Sequence, residues 1–321
     1  MKIGIVGAGF VGSACASSML LRGSCHEIVL IDINKQLASG RGNDLSDARG
    51  VCYPTRITAG GYAKLRGAEI VVVTAGINEK AGGATDRGDS LGRLRLLPHN
   101  AEVYANVIPQ IAKVTPRATI LVVTDPPDAL ADVARRYTLT NQIISMGTFL
   151  DTLRFRRQIA RRLRCSEGSV DAIVIGEHGN SKVYVWSSAR VGTRSVVDLA
   201  RGMGWRPKKF REEVEDAVRH ANIDIIEGTG ASQLGIGAAT ARIVEAILHD
   251  EGLVEPIGIW NADLGVTLSL PAVIGKGGKP KVIDPVLTAE ERSLLRSSAG
   301  AIRKALSELG KSKTKQVRKR L

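Results

Sequence analysis

Aromatic residues make up only 4% of the 321 residues, and no basic stretch carries the interleaved rings on which nucleobases stack. Cysteine is equally sparse. Cys15, Cys25, Cys52 and Cys165 form no CxxC pair and no cluster with histidines, which argues against both a disulfide framework and a zinc site. No metal site is expected, and a reducing cytoplasm is the default compartment. Long apolar runs are missing too, since no stretch of about twenty apolar residues occurs. Met1-Lys2-Ile3-Gly4-Ile5 enters a strand at once, without a charged leader, so neither secretion nor a membrane partner is expected.

Negative charge is the minority, leaving a net charge of +13 and a pI near 9.8. Six of the cations, Lys311, Lys313, Lys315, Arg318, Lys319 and Arg320, fall in the last eleven residues. That stretch, 311–321, reads as a frayed, solvated basic tail and not as a nucleic-acid arm. The remaining excess suits anionic small ligands. With 44% hydrophobic residues the chain is long enough for a large core and for two domains.

An apolar strand, Lys2 to Val6, runs directly into Gly7-Ala8-Gly9-Phe10-Val11-Gly12, and Ser13 to Leu21 continues with a helical apolar pattern. This is G-x-G-x-x-G in the strand, turn and helix setting that gives it meaning: a tight turn, backbone close to a pyrophosphate, and a helix N-terminus facing the phosphates. A second strand, Glu27 to Ile31, ends at Asp32, twenty residues beyond Gly12. A carboxylate there accepts ribose hydroxyls and repels a 2'-phosphate, which favours NAD over NADP.

Gln36 to Arg49 reads as a helix, Arg56 to Ala59 as a short strand, and Ile70 to Thr74 as an apolar strand buried on both faces. Thr74-Ala75-Gly76 closes that strand with small residues that let a cofactor pass. Ile77 to Gly92 is glycine-rich and without period, the composition of a mobile lid. A helix is expected from Arg93 to Lys113, and a strand from Ala118 to Val123 that ends in Thr124-Asp125-Pro126-Pro127-Asp128. Strand ends on this edge of a parallel sheet are where ligands bind.

After a sixth strand, Ile143 to Met146, the strand–helix alternation stops. The expected organisation is a Rossmann-type, doubly wound parallel sheet over 1–147, then an α+β substrate domain over 148–310, an α/β chain as a whole. Leu150 to Arg164 should be helical, with Asp151 and Arg154 on one face. Val170 to Ile175 leads into Gly176-Glu177-His178-Gly179, an imidazole between two glycines at a sheet edge, where a proton shuttle belongs. A β-rich stretch at Val183 to Val191 and helices at about Pro207 to Ile226 and Ser232 to His249 follow, with Gly228 to Ser232 as a glycine-rich break that frames a pocket. Strands at Ile257 to Trp260 and Gly265 to Leu270 precede a final helix opened by Thr288-Ala289-Glu290-Glu291.

Taken together, these stretches resemble the L-lactate/malate dehydrogenase family from Lys2 to about Leu309. The resemblance rests on Gly7 to Gly12 with Asp32, on Thr74-Ala75-Gly76, Arg93-Leu94 to Asn100, Leu150 to Arg154, Gly176 to Gly179 and Ser269-Leu270-Pro271. It implies an NAD-dependent oxidoreductase acting on a small anionic 2-hydroxy or 2-oxo acid, lactate-like first, with malate or a bulkier acid as alternatives, and a homodimer or homotetramer. By that resemblance His178 is the acid/base, Asp151 holds it, Arg93 polarises the carbonyl and Arg154 pairs with the substrate carboxylate. Ser232 stands where the family has threonine, Asn100 where it contacts NAD, and Val123 beside the cofactor.

Three departures matter. The family's Asn-Pro is here Asp125-Pro126, so a carboxylate replaces an amide that can donate: Asp125 is either protonated, paired with Arg93, or facing a different ligand. A dinucleotide-binding protein without catalysis is the alternative this opens. Glu79 stands at the substrate-selecting position, where a malate enzyme has arginine. The loop before Arg93 is several residues longer than usual, and Arg87 within it could supply that cation.

Overall fold

The structure, a computed structural model, describes residues 1–89, 91–275 and 280–318. The first half alternates β1 (Lys2–Val6), α1 (Phe10–Arg22), β2 (Glu27–Ile31), α2 (Lys35–Asp47), β3 (Arg56–Ala59) and β4 (Ile70–Val73). It continues with α3 (Leu97–Val114), β5 (Thr119–Val122), α4 (Pro127–Arg135) and β6 (Ile143–Ser145). These strands pair in parallel in the order β6-β5-β4-β1-β2-β3, so the topology reverses between β1 and β4. The crevice at that switch point is the ligand position of a doubly wound sheet. Two apolar clusters cover the two faces, one under α3 and α4, the other under α1 and a later helix, Leu234–Leu248. Burial on both faces explains the unbroken apolar Ile70–Val73.

The second half runs α5 (Phe149–Leu163), β7 (Val170–Asp171), β8 (Val174–Ile175), β9 (Val183–Tyr184), β10 (Arg190–Val191), β11 (Arg194–Ser195) and α6 (Val196–Gly202). Then come α7 (Pro207–Thr229), α8 (Leu234–Leu248), β12 (Leu253–Asn261), β13 (Val266–Ile274), β14 (Lys281–Val282) and α9 (Ala289–Arg318). A third cluster, with Phe155 edge-on to Trp186 and Trp186 edge-on to Phe210, holds α5 to α7 together.

Four expectations need correction. The strands expected at Ile257 to Trp260 and Gly265 to Leu270 within the second domain are longer, β12 and β13, and with β14 they extend the parallel sheet of the first, β12 meeting β6 antiparallel at Gly258 opposite Ser145. An uncovered β6 edge would leave unpaired backbone groups, and the hairpin satisfies it. The approach is so close that a Cβ at Gly258 would fall 1.8 Å from Ser145 Oγ. The helix expected from Arg93 starts at Leu97, after a 3-10 turn over Gly92–Leu96, because Pro98 has no N–H and its ring excludes an α-helical carbonyl four residues earlier. Val183 to Val191 holds only the two-residue strands β9 and β10. The basic tail does not fray at Lys311; α9 continues to Arg318, and Lys319 and Arg320 lie outside the described residues. Among the described residues no helix is long and apolar enough to cross a membrane.

Candidate active site

Gly7 has φ +106°, and a Cβ on Gly12 would sit 1.8 Å from the Gly7 carbonyl, so both positions demand glycine. At Gly9 a Cβ would meet no atom within 4 Å. The loop is therefore tight behind and open in front, where a phosphate would rest against the N-terminus of α1, whose Gly9 cap offers no side-chain acceptor. Asp32 braces the loop: its Oδ2 accepts Ala8 N–H at 2.7 Å and its Oδ1 accepts Asn34 N–H at 2.8 Å. Thr74 Oγ1 donates to the Gly7 carbonyl at 2.8 Å, and Thr124 Oγ1 donates to the Ala75 carbonyl at 2.9 Å. A cavity of about 190 Å3 opens beside this frame, lined by Gly9, Phe10, Val11, Gly12, Thr74, Gly76, Glu79, Val123, Asp125 and Ser232 among others. Gly7, Asp32, Ala75 and Asn100 are not among the residues that line it. Asn100 is fully buried, donating to the carbonyls of Asp125 at 2.7 Å and Ile77 at 3.3 Å and accepting Ile77 N–H at 2.8 Å. Its amide is occupied in joining two strand ends, which makes it a positioning residue for the cavity wall.

His178 reaches the same end of the sheet through backbone pairing. Gly176 and Ser269 exchange both backbone hydrogen bonds at 2.9 Å, and Ser269 Oγ accepts Thr148 N–H at 2.8 Å. Ser269-Leu270-Pro271 thus ties β13 to the histidine segment and to the start of α5. There His178 Nδ1 lies 2.6 Å from Asp151 Oδ2, with the histidine 5% and the aspartate 0% exposed. Arg154, one turn along α5, is 3.9 Å from Asp151 and lines a neighbouring cavity of about 400 Å3 that also touches Ser232. Arg93 Nε lies 3.0 Å from Asp125 Oδ2 and 3.9 Å from Glu79 Oε1, and His178 Nε2 lies 3.7 Å from Asp125 Oδ1. The Arg93–Asp125 pair is close but off the donor axis, so the buried Nε–H has no aligned acceptor. The structure therefore brings His178, Asp151, Arg154, Arg93, Asp125 and Glu79 together.

Burial pushes His178 down to about 4; Asp151 opposes this, and Arg93 and Lys182 reinforce it. Burial would raise Asp151, but His178 and Lys182 outweigh it and hold the carboxyl well below its usual range. Asp125 is the reverse. Burial raises it well above an ordinary aspartate, Arg93 works against that, and the neighbouring Glu79 carboxyl adds to it. Glu79 is lowered despite burial, by Arg93 and by hydrogen bonds that include Asp125 and Asn222.

Several contributors escaped the sequence reading. Lys182 Nζ donates to Asp151 Oδ1 at 2.8 Å with its side chain 4% exposed. A lysine opening the apolar run Val183-Tyr184-Val185-Trp186 was its only signal. Asp128 Oδ2 accepts His178 N–H at 2.7 Å and its Oδ1 accepts Ser145 O–H at 2.6 Å, and burial raises this acid to about 7. Asn222 on α7 donates to Glu79 Oε1 at 2.8 Å. Arg87 does not enter the pocket: at 44% exposure it pairs with Asp224 at 2.7 Å and Glu227 at 2.9 Å on α7. Near its end the long loop is tied at Asp89, whose carbonyl accepts Asn180 Nδ2–H at 2.9 Å and whose carboxylate pairs with Arg95 at 2.7 Å.

A glycine-loop crevice beside a buried imidazole–carboxylate pair and two arginines defines a dinucleotide-dependent enzyme that moves a proton on an anionic substrate. Residues 1–145 match the family model for the lactate/malate dehydrogenase NAD binding domain, and residues 148–313 that for the lactate/malate dehydrogenase alpha/beta C-terminal domain. The chain belongs to the lactate/malate dehydrogenase family, and its cofactor is NAD. It is 41% identical over 321 residues to an L-lactate dehydrogenase of Thermus aquaticus, covering 97% of this chain and 100% of that one. To an L-lactate dehydrogenase of Deinococcus radiodurans it is 39% identical over 312 residues, again covering 97% and 100%. The solved lactate dehydrogenase from a Medee basin deep-sea metagenome library superposes with a TM-score of 0.87 at 33% identity, covering 96% of this chain and 98% of that one.

Proposed function

We propose that this chain interconverts an L-2-hydroxy acid and its 2-oxo acid, with L-lactate and pyruvate as the pair. The buried His178–Asp151 contact of 2.6 Å, in a pocket lined with arginine, carries the reading. Bound NAD supplies or accepts the hydride. His178 Nε2 donates a proton to the substrate oxygen during reduction and removes it during oxidation, while Asp151 stabilises the imidazolium and fixes the ring. Arg154 receives the substrate carboxylate, a task for a planar guanidinium. Arg93, whose Nε–H has no aligned acceptor, turns to the substrate carbonyl and stabilises the charge that develops there. Ser232 offers a hydroxyl between the two cavities, and Gly7 to Gly12, Asp32, Thr74, Ala75, Gly76, Asn100 and Val123 form or support the cofactor wall. Glu79 faces the side chain of the substrate and disfavours a second carboxylate.

The outward pairing of Arg87 supports lactate over malate, because it leaves Glu79 without a second cation from the loop. NADH oxidation across a panel of 2-oxo acids tests the reading: pyruvate should lead oxaloacetate, and a preference for oxaloacetate would overturn the substrate. We also place the division between an NAD-binding unit, 1–147, and a substrate unit, 148–310, near Gly147, supported by the two family matches. Failure of a fragment over 1–147, with the β6 edge capped by a β12–β13 hairpin, to bind NADH would count against it. Self-association into a homodimer or homotetramer belongs to the same reading, supported by exposed large apolar side chains that include Leu21, Val51 and Tyr53; a monomer in sedimentation velocity would refute it.

A further inference from the structure

Asp125 poses a chemical problem that the dehydrogenase reading leaves open. An acid stands 3.7 Å from the nitrogen that must exchange a proton and 3.0 Å from the arginine that must polarise a carbonyl. An ionised Asp125 would hold Arg93 away from substrate and set a negative charge where negative charge develops. The loop supplies a second acid at the same place: Arg93 Nε lies 3.9 Å from Glu79 Oε1 as well as 3.0 Å from Asp125 Oδ2, and Asn222 Nδ2 donates to Glu79 Oε1 at 2.8 Å. Two carboxyls crowded onto one guanidinium in a buried site do not both ionise readily; one keeps the proton. Asn222, a donor, stabilises charge on Glu79 and so directs the proton to Asp125.

We propose that Glu79 and Asp125 act as one carboxyl pair sharing a single proton, in which Glu79 is the positioning residue that keeps Asp125 neutral at the reaction centre. The inference rests on the dehydrogenase reading for its purpose, but not for its detection. A neutral Asp125 carboxylic acid has one donor and one acceptor face, as an amide does, so it serves where the family carries asparagine. The titratable groups that face the pair are Arg93 from the loop, His178 after β8, Asp151 and Arg154 on α5, and Tyr104 on α3. With Asp125 neutral, Arg93 faces one ionised carboxylate, Glu79, in place of two, which leaves its guanidinium freer to turn to a substrate carbonyl.

Infrared difference spectra of the full chain read the proton directly. At about pH 8, where Asp128 is largely ionised, wild type should show a carboxylic-acid carbonyl band that disappears in Asp125→Asn and also in Glu79→Gln, since Asp125 without its anionic neighbour ionises against Arg93. A band that survives Glu79→Gln, or none in wild type, overturns the pair. The kinetic test is a rescue: Glu79→Gln should lower kcat/KM for pyruvate by about tenfold or more, and adding Asp125→Asn to it should recover most of that loss. A double variant as poor as the product of the single effects would mean two independent structural roles and would overturn the proposal. If wild type turns over no 2-oxo acid while the band behaves as stated, the dehydrogenase reading falls and the shared proton stands.

Discussion

The preference for NADH over NADPH should hang on one side chain. Asp32 sits at the end of β2 with each carboxylate oxygen accepting a backbone N–H, from Ala8 at 2.7 Å and Asn34 at 2.8 Å, so the charge is fixed in direction and half-buried. A 2'-phosphate brought to about 4 Å from it meets a repulsion of roughly 4 kcal/mol at an effective dielectric of about 20. Solvent and salt at this open edge cut that to roughly 1 to 3 kcal/mol, tenfold or more in kcat/KM. Asp32→Ser removes the charge and retains an oxygen that can accept Ala8 N–H. The NADPH to NADH ratio of kcat/KM, measured with saturating pyruvate at low ionic strength, should rise by about tenfold. NADH itself should lose some efficiency, because the glycine loop loses a charge-assisted hydrogen bond. Wild-type enzyme that uses both cofactors equally, or a ratio unmoved by Asp32→Ser, would refute the argument.

His178→Ala should cut kcat by roughly 10² to 10⁴ while NADH affinity, read by fluorescence titration, stays near wild type, because the imidazole acts in the transition state; unchanged turnover would remove His178 from the reaction. With His178 at about 4 in the ligand-free protein, the imidazolium needed for oxo-acid reduction becomes scarcer as pH rises, whereas the neutral ring needed for oxidation is already present at neutral pH. Between about pH 5 and 8, kcat/KM for pyruvate should fall and kcat/KM for lactate should stay level; flat profiles in both directions would contradict this. Glu79→Arg should raise the oxaloacetate to pyruvate ratio of kcat/KM by about tenfold or more, a cation replacing the charge that repels a second carboxylate. Arg87→Ala should leave that ratio within about threefold, since its guanidinium faces Asp224 and Glu227; a collapse of the ratio in Arg87→Ala would mean that Arg87 acts in the substrate pocket.

The parallel sheet was legible because its determinants are local. The glycine loop, the apolar strands and the acid after β2 each lie within one short stretch, and their order alone defines the doubly wound half. The hairpin β12–β13 was not, because its place depends on a β6 edge more than a hundred residues away and on Gly258 being small enough to pass Ser145. Pro98 was visible, and its effect on the start of α3 follows from its ring; the helical apolar pattern through Arg93 to Lys113 concealed it.

The candidate site divides along the same line. His178, Asp151, Arg154 and Arg93 sit in short recognisable strings, whereas Lys182, Asp128 and Asn222 act only by reaching a group on another element. Asp125 is the instructive case. Its identity is plain in the sequence, and so is its departure from asparagine, but identity does not set charge. Whether that carboxyl is an anion or a hydrogen-bond donor depends on Glu79, 46 residues earlier, on the arginine both acids share, and on an amide from α7 that steadies the charge on the other member. A substitution that looks disabling in one dimension therefore becomes near-isosteric once the fold supplies the neighbour that holds its proton.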